Sequence, residues 1–108
     1  MKIAIASEKE NEKAKVCPTA GRTPYYLIFQ DKKFVKTIKN PFAVGGGGAG
    51  LGVVQMLNNE GVEMVISGKF GPNMISALEE KGMKYKEMQD ITVKEVLEEF
   101  IKWDYWYL

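Results

Sequence analysis

Histidine is absent from this chain, and cysteine and arginine occur once each, as Cys17 and Arg22. Without imidazole there is no Ser-His-Asp or Cys-His catalysis, no histidine general base and no zinc site built on ring nitrogens. A single thiol cannot close an internal disulfide, so cysteine usage gives no sign of secretion. Charge of one sign is not in excess either: fifteen basic residues against fourteen acidic ones leave a net charge of +1. A general nucleic-acid binder needs a basic surplus on one face to neutralise phosphates, so that class is excluded. Long apolar runs are missing. The stretch from Met1 to Ala6 is too short for a signal peptide and lacks a cleavage signal. The uncharged stretch from Asn40 to Asn59 is too rich in glycine, with Pro41 and Gln55 inside it, to span a bilayer. A cytoplasmic protein without membrane or nucleic-acid partners is expected.

What is present is an ordinary globular composition, 45% hydrophobic and 27% charged over 108 residues. That length makes one domain, residues 1–108. Lysine and glutamate dominate the charges, a bias shared with thermophile proteins.

The apolar pattern divides the chain into short elements. Lys2 to Ser7 reads as a buried strand, and Glu8 to Lys15 as a solvated polar loop. Tyr25 to Gln30 and Phe34 to Lys39 read as the strands of a hairpin, with Asp31-Lys32-Lys33 at the turn. Asn40-Pro41 ends the second of these, since proline removes a ladder donor and restricts its predecessor. A glycine-rich loop follows. Leu51, Val54 and Leu57 then recur at helical spacing up to Gly61, a natural helix stop. Glu63 to Ser67 is a short buried strand, and Gly68-Lys69-Phe70-Gly71 a second tight loop. Pro72 opens a helix with Met74, Ile75 and Leu78 inside and Gly82 beyond its end. Lys84 to Glu87 is a weak last strand. Thr92 and Glu95 form a capping box for a final helix carrying Val93, Val96, Leu97, Phe100 and Ile101. The order β-β-β-α-β-α-β-α predicts an α/β fold. Its mixed five-stranded sheet has strand 2 antiparallel to the others and helices on both faces.

That topology brings three loops to the carboxyl edge of the sheet, where ligands bind in open α/β sheets. They are Glu8–Thr23, Pro41–Gly50 and Gly68–Pro72. The candidate ligand-binding residues are Gly21, Arg22, Gly45, Gly46, Gly47, Gly48, Gly50, Gly68, Lys69 and Gly71, with Cys17 as the candidate metal ligand. Glycines let the backbone approach a ligand, and free amides at helix starts favour anions. Arg22 offers a planar fork and Lys69 a point charge. Cys17 is the one soft donor for copper(I) or an iron–sulfur species. Each also has a plainer reading: a buried silent thiol, a surface ion pair, a solvated lysine tip, a flexible connection. Six glycines between 45 and 52 exceed what a turn needs and favour the functional one.

Other chemistry fits poorly. Gly45, Gly47 and Gly50 match G-x-G-x-x-G, but the acidic residue expected at the end of the next strand is replaced by Ile66-Ser67. A P-loop requires Gly-Lys-Ser/Thr where this chain has Gly50-Leu51-Gly52. Strand ends carry Ser7, Lys39 and Ser67 instead of the carboxylates of two-metal nucleases. With acid–base groups this scarce, a binding protein is expected rather than an enzyme. The aromatic tail Trp103, Tyr105, Trp106 and Tyr107 reads either as cover for the core or as a self-association surface.

The ordered set of motifs resembles the dinitrogenase iron–molybdenum cofactor biosynthesis family, over nearly the whole chain. The matching stretches are Val16-Cys17-Pro18-Thr19-Ala20-Gly21-Arg22-Thr23-Pro24-Tyr25-Tyr26, Asn40-Pro41, Gly47 to Gly50, Gly61-Val62, Gly68-x-x-Gly71-Pro72 and Thr92-Val93-x-Glu95. The resemblance implies a three-layer ribonuclease-H-like fold. It also implies a carrier or accessory role toward an iron–sulfur or molybdenum-containing cluster, within or outside nitrogen fixation. Where the family pattern has histidine and phenylalanine, this chain has Thr19 and Ala20, and Cys17 is the nearby metal-ligating type. The alternatives from other classes are an assembly protein with a vestigial loop and a binder of small phosphorylated metabolites.

Overall fold

The computed structural model describes residues 1–45 and 48–99. Its strands are β1 (Lys2–Ser7), β2 (Tyr25–Gln30), β3 (Lys33–Lys39), β4 (Met64–Ser67) and β5 (Lys84–Glu87). Helix α1 runs Ala49–Asn59 and α2 Pro72–Glu80, and α3 is described over 93–99. One five-stranded sheet has the order β3-β2-β1-β4-β5. β2 runs antiparallel to both neighbours, whereas β1–β4 and β4–β5 are parallel. The expected α/β architecture is the observed one.

The sheet separates two apolar layers. On one face Ala4, Ala6, Tyr26, Ile28 and Val65 meet Val53, Val54 and Leu57 of α1 and Met74, Ala77 and Leu78 of α2. On the other, Ile3, Ile5, Leu27, Phe29, Met64 and Ile66 meet Val93 and Val96 of α3. The alternation along β1 therefore puts alanines under two helices and isoleucines under one. Small side chains on the crowded face let α1 and α2 seat close to the sheet, while branched ones fill the wider space opposite.

Three local expectations change. The hairpin turn is the two-residue Asp31-Lys32, both with positive φ (51° and 70°), so Lys33 joins β3 and pairs with Gln30. Positive φ at both positions is the turn geometry whose twist matches paired strands. α1 begins at Ala49, before Leu51, and Leu51 is 51% exposed; the inner face is Ala49, Val53, Val54 and Leu57. The Glu8–Lys15 loop is also more than solvated surface. Ala14 is buried, and the carbonyls of Glu12 and Ala14 accept the first-turn amides of Lys94 and Val93 at 2.8 and 2.9 Å. The expected last strand and helix stops hold: Gly61 and Gly82 take φ of 79° and 69° just past α1 and α2.

β3 and β5 are the sheet edges. β3 carries Lys33, Lys36 and Lys39, and a register shift between Ile28 and Phe29 leaves Val35 opposite no partner. β5 carries Lys84 and Lys86. Lys36 Nζ pairs with Glu60, the residue just past α1, at 2.7 Å. Phe100, Ile101 and the aromatic tail lie outside the described residues. Among the described residues no helix is long and apolar enough to cross a membrane.

The capping box of α3 is formed as expected. The Thr92 amide donates to Glu95 Oε1 at 3.0 Å, and the Glu95 amide to Thr92 Oγ1 at 3.2 Å. The bonds from the Thr92 backbone and hydroxyl hold the Glu95 carboxyl below its ordinary 4.5. A carboxylate depressed in the folded state stabilises above its unfolded pKa and loses that contribution as pH falls through the folded one. Glu95→Gln is therefore expected to lower stability at neutral pH and to flatten the decline below about pH 4.5. Urea unfolding of both forms between pH 7 and 2 checks this; parallel curves would contradict it.

Candidate functional site

The three loops do meet at the carboxyl edge: backbone bonds join the first to the third, and the side chains of Arg22 and Asn40 tie the first to the second. Cys17 donates its amide to the Ala6 carbonyl at 2.9 Å, extending the line of β1. The Cys17 carbonyl then accepts the Gly68 amide at 2.9 Å and the Ser67 hydroxyl at 3.2 Å, both at the end of β4. One step further out, the Ala20 amide donates to the Lys69 carbonyl at 3.0 Å. A Cβ on Gly68 would sit 2.6 Å from Pro18 Cα and 3.0 Å from the Cys17 carbonyl oxygen. No side chain fits there, which is why the residue is glycine.

Other groups hold each loop from behind. Thr23 Oγ1 donates to the Ser7 carbonyl at 3.1 Å. The Tyr26 hydroxyl, buried under the sheet face, donates to the Ala20 carbonyl. Burial first, and Cys17 nearby second, push the Tyr26 phenol far above its usual range, so it remains a donor. From the β5 side, Glu87 Oε2 accepts the Phe70 amide at 3.3 Å and Gln89 Nε2 donates to the Gly68 carbonyl at 3.1 Å.

These loops line a solvent-open cavity of about 500 Å³. Its wall comes from Thr19 to Arg22, from Ala49 and Gly50 at the start of α1, and from Lys69 to Met74 at the start of α2. Both helices begin without a side-chain cap, at Gly48 (φ 84°) and Gly71, and neither has an acidic residue in its first turn. First-turn amides lack intrahelical partners and carry the positive end of the helix dipole. Two such ends open on one space, beside the Arg22 and Lys69 side chains. Gly50 makes this possible: its position for a Cβ lies 3.0 Å from Met74 Cβ, so glycine is what lets the two helix starts approach.

Of the residues singled out from sequence, Gly21, Arg22, Gly50, Lys69 and Gly71 line this cavity. Gly45, Gly48 and Gly68 do not; Gly68 serves the loop contact instead, and Gly48 caps α1. Gly46 and Gly47 lie outside the described residues. The Cys17 thiol is off the wall, buried in the layer beneath α1 and α2, with Sγ 3.9 Å from Thr19 Oγ1. Its carbonyl, not its sulfur, takes part in building the site. Sequence reasoning did not include Thr19, Ala20, Ala49, Phe70, Pro72, Asn73 and Met74. Pro72 at the first helical position was the available signal that Asn73 would face the same rim.

The wall has two cationic side chains, peptide amides and apolar surface from Ala20, Phe70, Pro72 and Met74, and it has no carboxylate or thiol. Among the described residues no group of three or more Cys, Asp or Glu could jointly hold a metal ion. This donor set suits an anion contacted through its outer atoms; it does not suit direct ligation of a bare cation.

A sequence model described as "Dinitrogenase iron-molybdenum cofactor" matches residues 1–103. The apo form of the orange protein from Desulfovibrio gigas superposes with a TM-score of 0.86 at 23% identity, covering 94% of this chain and 87% of that one. An NMR structure of a putative NifB protein from Thermotoga, described as belonging to the DUF35 family, gives 0.80 at 28% identity, with 94% and 87% covered. No curated protein sequence matches the chain.

Replacing Gly68 with alanine is expected to cost about 2 kcal/mol, because main-chain atoms on both sides have to move. Gly21→Ala, whose Cβ would meet nothing closer than 3.7 Å, is expected to stay within about 0.5 kcal/mol of the parent. Denaturant midpoints of the two variants check the contrast, and equal losses would refute it.

Proposed function

The chain belongs to the dinitrogenase iron–molybdenum cofactor family, and on that premise we propose that its cavity binds and carries a compact anionic cargo. The cargo is a metal–sulfur cluster or an oxo- or thiometallate precursor of one. The observation that carries this reading is the convergence of two uncapped helix N-termini with Arg22 and Lys69 on one cavity. Amides aimed at one point stabilise charge on outer oxygen or sulfur atoms without a covalent bond to the metal. The family and the two similar structures are consistent with a cofactor-binding or carrier role.

In this reading Arg22 contributes a fork of donors, Lys69 a point charge, and the amides of the first turns of α1 and α2 fixed dipoles. The apolar surface of Ala20, Phe70, Pro72 and Met74 lowers the dielectric beside each contact. No proton transfer or bond cleavage is assigned to the site: its wall has no carboxylate or thiol, and Lys69 and Thr19 are given binding roles. In this reading Cys17 is a structural residue and not a metal ligand, in keeping with its burial in the layer beneath α1 and α2.

Anaerobic equilibrium dialysis against tetrathiomolybdate and molybdate tests the reading. Wild type is expected to take up the probe, with affinity falling as salt rises. Arg22→Gln and Lys69→Gln are each expected to weaken it about tenfold, the scale of one charge-assisted hydrogen bond. Cys17→Ser is expected to bind within about twofold of wild type, while losing stability from a hydroxyl placed among apolar groups. Uptake that ignores both cations, or that vanishes with the thiol alone, would overturn it.

A further inference from the structure

One buried side chain, Asn40, bonds the main chain on both sides of Arg22 and the residue whose carbonyl accepts its guanidinium. Asn40 is 4% exposed. Its Nδ2 donates to the carbonyls of Gly21 at 3.0 Å and Thr23 at 2.9 Å. Those are the two residues flanking Arg22. Its Oδ1 accepts the Phe42 amide at 2.9 Å, and the Phe42 carbonyl in turn accepts Arg22 Nη1 at 2.9 Å. The carboxamide thus uses both donors and its acceptor on the main chain around one guanidinium. The Asn40 amide also donates to the Pro24 carbonyl at 2.9 Å, which ties the end of β3 to the start of β2.

We propose that Asn40 is the positioning residue of the site: it clamps the main chain on either side of Arg22 and, through Phe42, sets the direction of the guanidinium. This rests on the anion-binding reading given above. Asparagine is the residue type that this clamp requires. Aspartate is isosteric but has no donor when ionised, and serine or threonine supplies one hydroxyl where two donors are used. A long, exposed arginine side chain otherwise samples many rotamers, and ordering them opposes binding; holding it in place beforehand removes that cost.

Because the chain has one arginine, its side-chain ¹⁵Nε signal is a single resonance, and its order can be read with no ligand present. In Asn40→Ala the Arg22 Nε order parameter is expected to fall well below the wild-type value. Tetrathiomolybdate affinity is then measured in a double-mutant cycle. Asn40→Ala is expected to weaken binding roughly fivefold in the wild-type background and to have no effect on binding in the Arg22→Gln background. Its loss of stability is expected to be the same in both. A role confined to folding would instead give the same binding factor in the two backgrounds. That result, or an unchanged Nε order parameter, overturns the proposal. Should Asn40→Ala not fold, Asn40→Ser, which keeps at most one of the two donors and buries no charge, is expected to give the same two results at smaller size. If wild type binds no thiomolybdate, the anion reading fails, and the Nε measurement alone decides the role of Asn40.

Discussion

Gly68 passes so close to Pro18 and Cys17 that two stretches of main chain touch with no side chain between them, and the rest of the site depends on that contact. The loop after β1 has no regular structure of its own, and ordering its backbone costs about 1–2 kcal/mol per residue. What offsets this is bonding to rigid neighbours: the Ala6 carbonyl on one side, the Gly68 amide and Ser67 hydroxyl on the other. Once Cys17 is held there, Ala20 reaches the Lys69 carbonyl, and Arg22 and Lys69 emerge on the same rim. The spacing of the two cations is therefore set by peptide geometry at the sheet edge, not by any attraction between the side chains themselves.

Much of this was legible in the residues. Branched and aromatic runs marked the strands, glycines past the helix ends took the positive φ expected of them, and the antiparallel second strand followed from the hairpin and the two strand–helix alternations after it. The convergence of three loops was a topological consequence and holds. The failures have physical causes. Gly50 read as loop because glycine weakens a helix by about 1 kcal/mol; it lies in the first turn of α1, where a Cβ would come within 3.0 Å of Met74 Cβ. Cys17 read as a ligand because of its chemistry, but whether a lone thiol faces a cleft or a core is decided by contacts far away in sequence. Asn40 read only as the end of a strand before proline. Its part in holding three segments exists only after those segments have met.

The chemistry of the wall follows from the same economy of means. Helix starts supply partial positive charge as a by-product of their geometry, and the chain leaves them uncapped where most helices would place a serine or aspartate. The contrast within the molecule is informative. α3, which faces the opposite layer, has a full capping box and further bonds from the loop carbonyls of Glu12 and Ala14. The chain closes the start of α3 and leaves open the two helix starts that line the cavity of about 500 Å³.

The lysines on β3 and β5 have a consequence beyond solubility. An incoming strand that tried to prolong the sheet would have to lie along Lys33, Lys36 and Lys39, past the unpaired Val35, or along Lys84 and Lys86. A twisted rim lined with ammonium groups discourages that pairing. Lateral growth into a continuous ribbon is thus disfavoured at both described flanks.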